Sequence, residues 1–225
     1  MTKIAYRYSD VQIIIFARKP VAGQVKTRLI PSLGEQGATQ LYSALLQFTI
    51  KNISAYHLAP VCMAITPESD IRYFSVQNGF PDMEISPQKG MDLGERMYHA
   101  LESSLQRYSK AILIGTDCPF FTRQDFQNAI DTLDDKDMVF SPARDGGYVL
   151  VGAKSLFPGS FNNILWGTER VMQQTRQTLT GLNISWQELR QLQDIDTPED
   201  LKYLSEIHEL ANSSFHITDI INRDS

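Results

Sequence analysis

The chain has 225 residues, with 21 basic against 26 acidic side chains, a net charge of −5 at neutral pH and 42% apolar residues. That balance excludes an intrinsically disordered chain and argues against a nucleic-acid partner, which calls for a clear basic excess. A chain of this length can bury roughly 70% of its surface, so neither disulfides nor a structural metal is needed for stability.

The two cysteines, Cys62 and Cys118, form no C-x-x-C pair and no zinc-ligand set. No apolar run reaches the length of a membrane span, and Met1–Asp10 holds no apolar signal core, so the expectation is a cytoplasmic protein without a membrane partner. With no internal repeat, low-complexity tract or Gly/Ser linker, residues 1–225 read as a single domain.

In chain order, Val11–Ala17 (VQIIIFA) is β-branched and almost wholly apolar, the pattern of a strand buried on both faces. Residues 35–53 place Ala38, Leu41, Leu45, Phe48 and Asn52 at helical spacing. Val61–Thr66 repeats the strand pattern. Residues 92–105 form the clearest helix: Leu93, Met97, Leu101 and Leu105 make one apolar stripe, and Asp92 with Glu95 three residues later resembles an N-terminal cap. Ala111–Ile114 and Met138–Ser141 are further buried strands, separated by a helix start at Thr122-Arg-Gln-Asp125. Asp145-Gly146-Gly147 predicts a turn joining Met138–Ser141 to a strand at Tyr148–Ala153. Thr197-Pro198-Glu-Asp200 predicts a last helix start, with proline at the first helical position. This alternation predicts an α/β chain: a mostly parallel sheet covered by helices on both sides, with one part made antiparallel by the Asp145 hairpin. Ligands of such sheets sit at the carboxyl ends of the strands.

Four segments follow strands and carry chemistry. Arg18, Lys19, Lys26 and Arg28 put four cations in eleven residues beside Gly23, the combination a polyphosphate site requires or simply a solvated basic loop, and Val25 stands where a P-loop needs glycine. Asp117, in Gly115-Thr-Asp-Cys-Pro119, occupies the crevice position where a hard divalent cation takes a carboxylate, or where an aspartate simply closes a turn. Arg144-Asp145-Gly146-Gly147 reads as a hairpin turn or as backbone that approaches a ligand. Asp196 precedes the Thr197 cap, where it serves the helix dipole or a second metal-ligand role beside Asp117. His57, His99, His208 and His216 lack metal-ligand spacing, and Trp166 and Trp186 read as core or rim aromatics. The Asn-x-Ser sequences at Asn52, Asn183 and Asn212 matter only in a secreted protein.

Taken in order, FARKPVAGQVKTRL, KGMDLGERM, GTDCP, PARDGGY, WGTERV and DIDTPEDL resemble the bacterial transferases associated with radical-SAM/selenodomain proteins. These are similar to phospholactate guanylyltransferase and, more distantly, to the molybdenum-cofactor cytidylyl- and guanylyltransferases. The resemblance implies a nucleotide-diphospho-sugar transferase (glycosyltransferase-A) fold, a Rossmann-like α/β/α sandwich with a nucleotide over the strand ends. It implies that Lys26 and Arg28 act on phosphates, with Arg18, Lys19, Gly23, Lys89, Asp92 and Arg96 around the nucleotide. It further implies Mg²⁺ or Mn²⁺ held by Asp117 and Asp196, and an acceptor near Asp145, Gly146 and Gly147. The chain departs from the pattern in having a single glycine in its first loop, in lacking Asp-x-Asp at Asp117-Cys118-Pro119, and in carrying Ala22 and Gly167. The expected activity is metal-dependent nucleotidyl transfer from a nucleoside triphosphate to a small anionic acceptor, with pyrophosphate released. The alternatives are glycosyl transfer from a nucleotide-sugar and nucleotide binding without catalysis.

Overall fold

The computed structural model describes residues 5–76 and 83–207. The VQIIIFA run forms β1 (Val11–Ala17), and its buried character follows from its central place in the sheet: it pairs in parallel with β2 (Val61–Ile65) on one side and β4 (Lys110–Ile114) on the other. Ile13, for example, stands opposite both Val61 and Ile112. The full order is β3-β2-β1-β4-β6-β5-β7, with β3 at Glu84–Pro87, β5 at Met138–Pro142, β6 at Tyr148–Ala153 and β7 at Trp186–Glu188. β6 alone runs against its two neighbours, β4 and β5. The expected Asp145 turn causes this: Ala143 N–H donates to Gly147 O, and Gly147 N–H donates to Asp145 Oδ1.

Helices α1 (Ile30–Ala55) and α4 (Arg123–Asp135) cover one face, where Leu46, Ile50, Phe126 and Leu133 meet Ile13, Ile15 and Ile112. Helices α3 (Leu93–Leu105) and α5 (Val171–Gly181) cover the other, where Met97, Leu101 and Leu179 meet Ile14, Leu113 and Phe140. The outer side of α1 carries a third cluster in which Leu41 and Leu45 hold Ile195 and Leu204. That cluster brings the chain after β7 back over the sheet rim, so the late aspartates reach the strand ends.

The cap signals act as expected. Asp92 accepts from Glu95 N–H, and Thr122/Asp125 and Thr197/Asp200 form capping boxes. Residues 198–206 nevertheless form a 3₁₀-helix rather than an α-helix. Among the α-helices and strands of the described residues, α2 (Ile71–Val76), β3, α5 and β7 escape sequence reasoning. β3 and β7 are short edge strands that need no sustained apolar alternation, and α5 buries only Val171, Met172, Thr175 and Leu179. His208, His216 and Asn212 lie outside the described residues. Among those described, no helix is long and apolar enough to cross a membrane.

Candidate active site

The carboxyl ends of β1, β2 and β4 open onto a cavity of about 330 Å³. Arg18, Lys26, Gln88, Arg96, Thr116 and Asp117 form its polar wall, and Phe16, Met97, Leu113 and Tyr148 are among its apolar lining. Local hydrogen bonds hold several of these residues. Tyr42, from α1, accepts from Arg18 N–H (3.0 Å) and donates to Arg18 O (3.1 Å), pinning the chain as it leaves β1. Burial pushes the Tyr42 phenol up, so it remains a donor. Gln88 Nε2 donates to Ala64 O at 2.8 Å. Arg96 Nε donates to Gly90 O at 3.1 Å, which orients the guanidinium at the first turn of α3. Gly90 has φ +135°, and a Cβ there would come within 2.7 Å of Arg96 N, so this turn demands glycine.

Lys26 is the centre of the arrangement. Its backbone is left-handed (φ 48°, ψ 43°), a conformation that costs a side-chain-bearing residue about 1–2 kcal/mol. The turn drives the side chain inward until it is 2% exposed. Its ammonium lies 2.6 Å from Asp117 Oδ1, donates to Ile195 O at 2.5 Å and stands 3.6 Å from Asp196 Oδ1. Asp117 Oδ1 is buried and makes no aligned hydrogen bond, so its contact with Lys26 is an ion pair. The Asp117 side chain as a whole remains 47% exposed and open to the cavity. The Ile195 peptide works in both directions: its carbonyl accepts from Lys26, and its N–H donates to Asp117 O at 2.9 Å. Arg28 Nη1 donates to Asp196 Oδ2 at 2.8 Å from outside the cavity wall. The Thr197 cap steadies Asp196, whose N–H donates to Asp200 Oδ2.

The structure thus unites Arg18, Lys26, Arg96 and Asp117 at one cavity, with Arg28 and Asp196 tied to them through ion pairs. It does not bring the other expected residues to that cavity. Lys19 lies over the Tyr73 ring, 5.3 Å from its centroid. Gly23 faces the Glu35 side chain. Lys89 lines a separate cavity of about 130 Å³ between α3 and the β3 edge. Asp92 is engaged as the cap of α3. Asp145 closes its own turn. Gly146, at φ +90°, makes its close approach to protein rather than ligand: a Cβ would fall 2.1 Å from Glu169 O, and Gly146 O accepts from Met172 N–H. Gly147 lies in the same hairpin.

Sequence reasoning missed Tyr42, Gln88, Ile195 and Asp194 as parts of the site. For Asp194 a signal existed, since Asp194-Ile195-Asp196 is itself an Asp-x-Asp. Burial, followed by the charges of Asp145, Asp196 and Asp117, pushes the Asp194 carboxyl up to about 6. The Asp194 carboxyl thus lies within electrostatic reach of Asp145, Asp196 and Asp117. Among the described residues, no three His, Cys, Asp or Glu side chains converge as a metal-holding group. His57 and His99 are exposed.

Comparison with known proteins agrees with this architecture. A protein from Desulfovibrio desulfuricans G20, named as a candidate nucleotide-diphospho-sugar transferase, is 31% identical over 95% of this chain and 94% of its own, with a TM-score of 0.82. The 4-diphosphocytidyl-2C-methyl-D-erythritol synthase of Anaerococcus prevotii DSM 20548 shares the fold at 12% identity, TM-score 0.59, over 89% of this chain and 99% of its own. A cytidylyltransferase from Leptospira borgpetersenii serovar Hardjo-bovis (strain JB197) does so at 16% identity, TM-score 0.58, over 95% and 93%. No curated protein matches the sequence. The family described as "Uncharacterized protein conserved in bacteria (DUF2064)" matches residues 49–168, more than half of the chain, and together with the Desulfovibrio relative this shows that the chain belongs to that family and carries the nucleotide-diphospho-sugar transferase fold.

Proposed function

We propose that the protein is a nucleotide-dependent transferase that binds a nucleoside triphosphate in the 330 Å³ cavity and passes its nucleotidyl group to a small anionic acceptor. One observation carries the reading: a buried lysine and an aspartate, 91 positions apart in sequence, meet within 2.6 Å at the carboxyl ends of β1 and β4, flanked by two arginines in the same cavity. Cations converging at the strand ends of an α/β sheet suit a polyphosphate, and the carboxylate among them suits its counter-ion. The name of the Desulfovibrio relative agrees with a nucleotide-using transferase, and that of the Leptospira relative with nucleotidyl transfer.

The chemistry asks little covalent work of the protein. An acceptor oxygen attacks the α-phosphorus in line, the bond between the α-phosphorus and the bridging oxygen breaks, and pyrophosphate leaves with that electron pair. Lys26, Arg18 and Arg96 set positive charge where the departing oxygens become more negative. An acceptor that is already an anion needs no general base. Asp117, with a carboxylate open to the cavity and one oxygen ion-paired to Lys26, fits a magnesium-type ion, which takes one or two protein carboxylates and completes its shell with substrate phosphates. Such an ion would supply further positive charge to the phosphates. Asp196 stands as the second candidate ligand, its two oxygens facing Lys26 and Arg28.

Glycosyl transfer from a nucleotide-sugar is the second reading. It is favoured by the name of the 31% identical relative. The deciding experiment follows pyrophosphate release from the four ribonucleoside triphosphates, and nucleoside diphosphate release from nucleotide-sugars, with Mg²⁺ or Mn²⁺ and a panel of small phosphorylated and carboxylated acceptors. Pyrophosphate release supports the first reading and diphosphate release the second. Absence of nucleotide binding by calorimetry overturns both, whereas binding without turnover leaves a nucleotide-binding protein.

A further inference from the structure

We infer that Lys26 fills the cation cradle of the site until a nucleotide arrives, so that a divalent ion and a triphosphate bind as a coupled pair. The inference rests on the nucleotide reading above and adds an order of events to it.

The atoms around the Lys26 ammonium are all hard oxygen donors: Asp117 Oδ1 at 2.6 Å, the Ile195 carbonyl at 2.5 Å and Asp196 Oδ1 at 3.6 Å. Two carboxylates and a backbone carbonyl are the donors that a magnesium- or calcium-type ion selects. A protein cation sits where such a set would hold a metal. The side chain is 2% exposed, so protein oxygens rather than solvent surround the charge. A divalent ion entering this cradle meets the ammonium at ion-pair distance, and two like charges there repel strongly in a water-poor setting.

The ammonium also has somewhere to go. Lys26 lines the same cavity as Arg18 and Arg96, and a triphosphate lying between them offers the flexible lysine a charged oxygen partner in exchange for Asp117. Arg28 remains on Asp196 Oδ2 and keeps that carboxylate partly neutralised throughout. The left-handed backbone at Lys26 fixes where the side chain starts, while its four methylenes let the head move. Linkage then requires reciprocity: the factor by which nucleotide strengthens metal binding is the factor by which metal strengthens nucleotide binding.

Mn²⁺ binding to the full chain, read from the electron paramagnetic resonance signal of free Mn²⁺ with no nucleotide present, tests this without any turnover. Lys26→Met removes the charge and keeps the length; Lys26→Gln serves if the methionine variant does not fold. The variant should bind Mn²⁺ about tenfold or more tightly than the wild type, and adding Asp117→Asn should abolish the gain. In calorimetry, Mn²⁺ should strengthen triphosphate binding to the wild type about tenfold and strengthen it much less in Lys26→Met. Equal Mn²⁺ affinity of the nucleotide-free wild type and Lys26→Met overturns the inference alone, leaving Lys26 a fixed strut between the first loop and residues 194–196. Failure of triphosphate to bind either protein, with or without Mn²⁺, overturns the nucleotide reading as well.

Discussion

Asp194 allows a prediction in which the site's own electrostatics supply the magnitude. Its carboxyl rises from 3.8 to about 6 because it is largely buried and because Asp145, Asp196 and Asp117 surround it. Tenfold in proton affinity is about 1.4 kcal/mol, so the rise corresponds to about 3 kcal/mol for a charge wholly removed from water. Solvent still reaches this side chain, and screening reduces the figure to about 1–2 kcal/mol. The sign follows from proton binding. The native state holds the Asp194 proton more tightly than the unfolded chain does, so this contribution to stability is fully present below pH 3.8 and is lost as the pH rises through about 6. Asp194→Asn removes the titration and keeps an oxygen to accept from its own backbone N–H. The variant should therefore match the wild type in calorimetric Tm near pH 4 and exceed it by about 2–8 °C at pH 7–8, since 1 kcal/mol moves the Tm of a chain this size by about 2–4 °C. A Tm difference that stays constant between pH 4 and 8 would refute the crowding of charge that the prediction assumes.

Gly146→Ala should cost about 3 kcal/mol or more in chemical denaturation, because a Cβ would meet Glu169 O at 2.1 Å from a backbone at φ +90°. Gly147→Ala, facing only the Asp145 side chain, should cost under about 1 kcal/mol; equal losses would refute the Glu169 contact as the reason for glycine at 146. Arg190→Ala should destabilise by about 1–3 kcal/mol, because Arg190 pairs through two nitrogens with the buried Asp125 carboxylate of the α4 capping box. The same change in an Asp125→Asn background should cost much less, which a double-mutant cycle reads directly.

Most of the sheet was legible because its central strands are buried on both faces and so carry uninterrupted apolar runs: VQIIIFA and YVLVGA define β1 and β6 to the residue. The Asp145-Gly146 turn likewise announced the single antiparallel strand. Edge strands β3 and β7 were invisible for the converse reason, since a strand with one neighbour has little apolar surface to hide. Within the site, residue type and position after a strand singled out Lys26 and Asp117. Their meeting follows from the pairing of β1 with β4, and Asp196 joins them through the docking of Ile195 and Leu204 against α1, both long-range contacts with no local signature. The same limit explains the residues that went elsewhere. Lys19 and Lys89 follow strands just as Lys26 does, but which way a loop side chain turns is decided by its neighbours: the ring of Tyr73 for one and the α3–β3 cavity for the other. Asp92 carried both a cap signal and a place in the nucleotide motif, and its hydrogen bond to Glu95 N–H accounts for the first.

The central claim, that the Lys26–Asp117 cavity receives the phosphates of a nucleotide, is tested most directly by equilibrium binding of a triphosphate and of its parent nucleoside to the wild type and to Lys26→Ala. Loss of the lysine should weaken the triphosphate by about a hundredfold, the scale of one or two charge-assisted contacts, while leaving the nucleoside within about twofold. Equal weakening of both ligands, or of neither, would contradict the assignment.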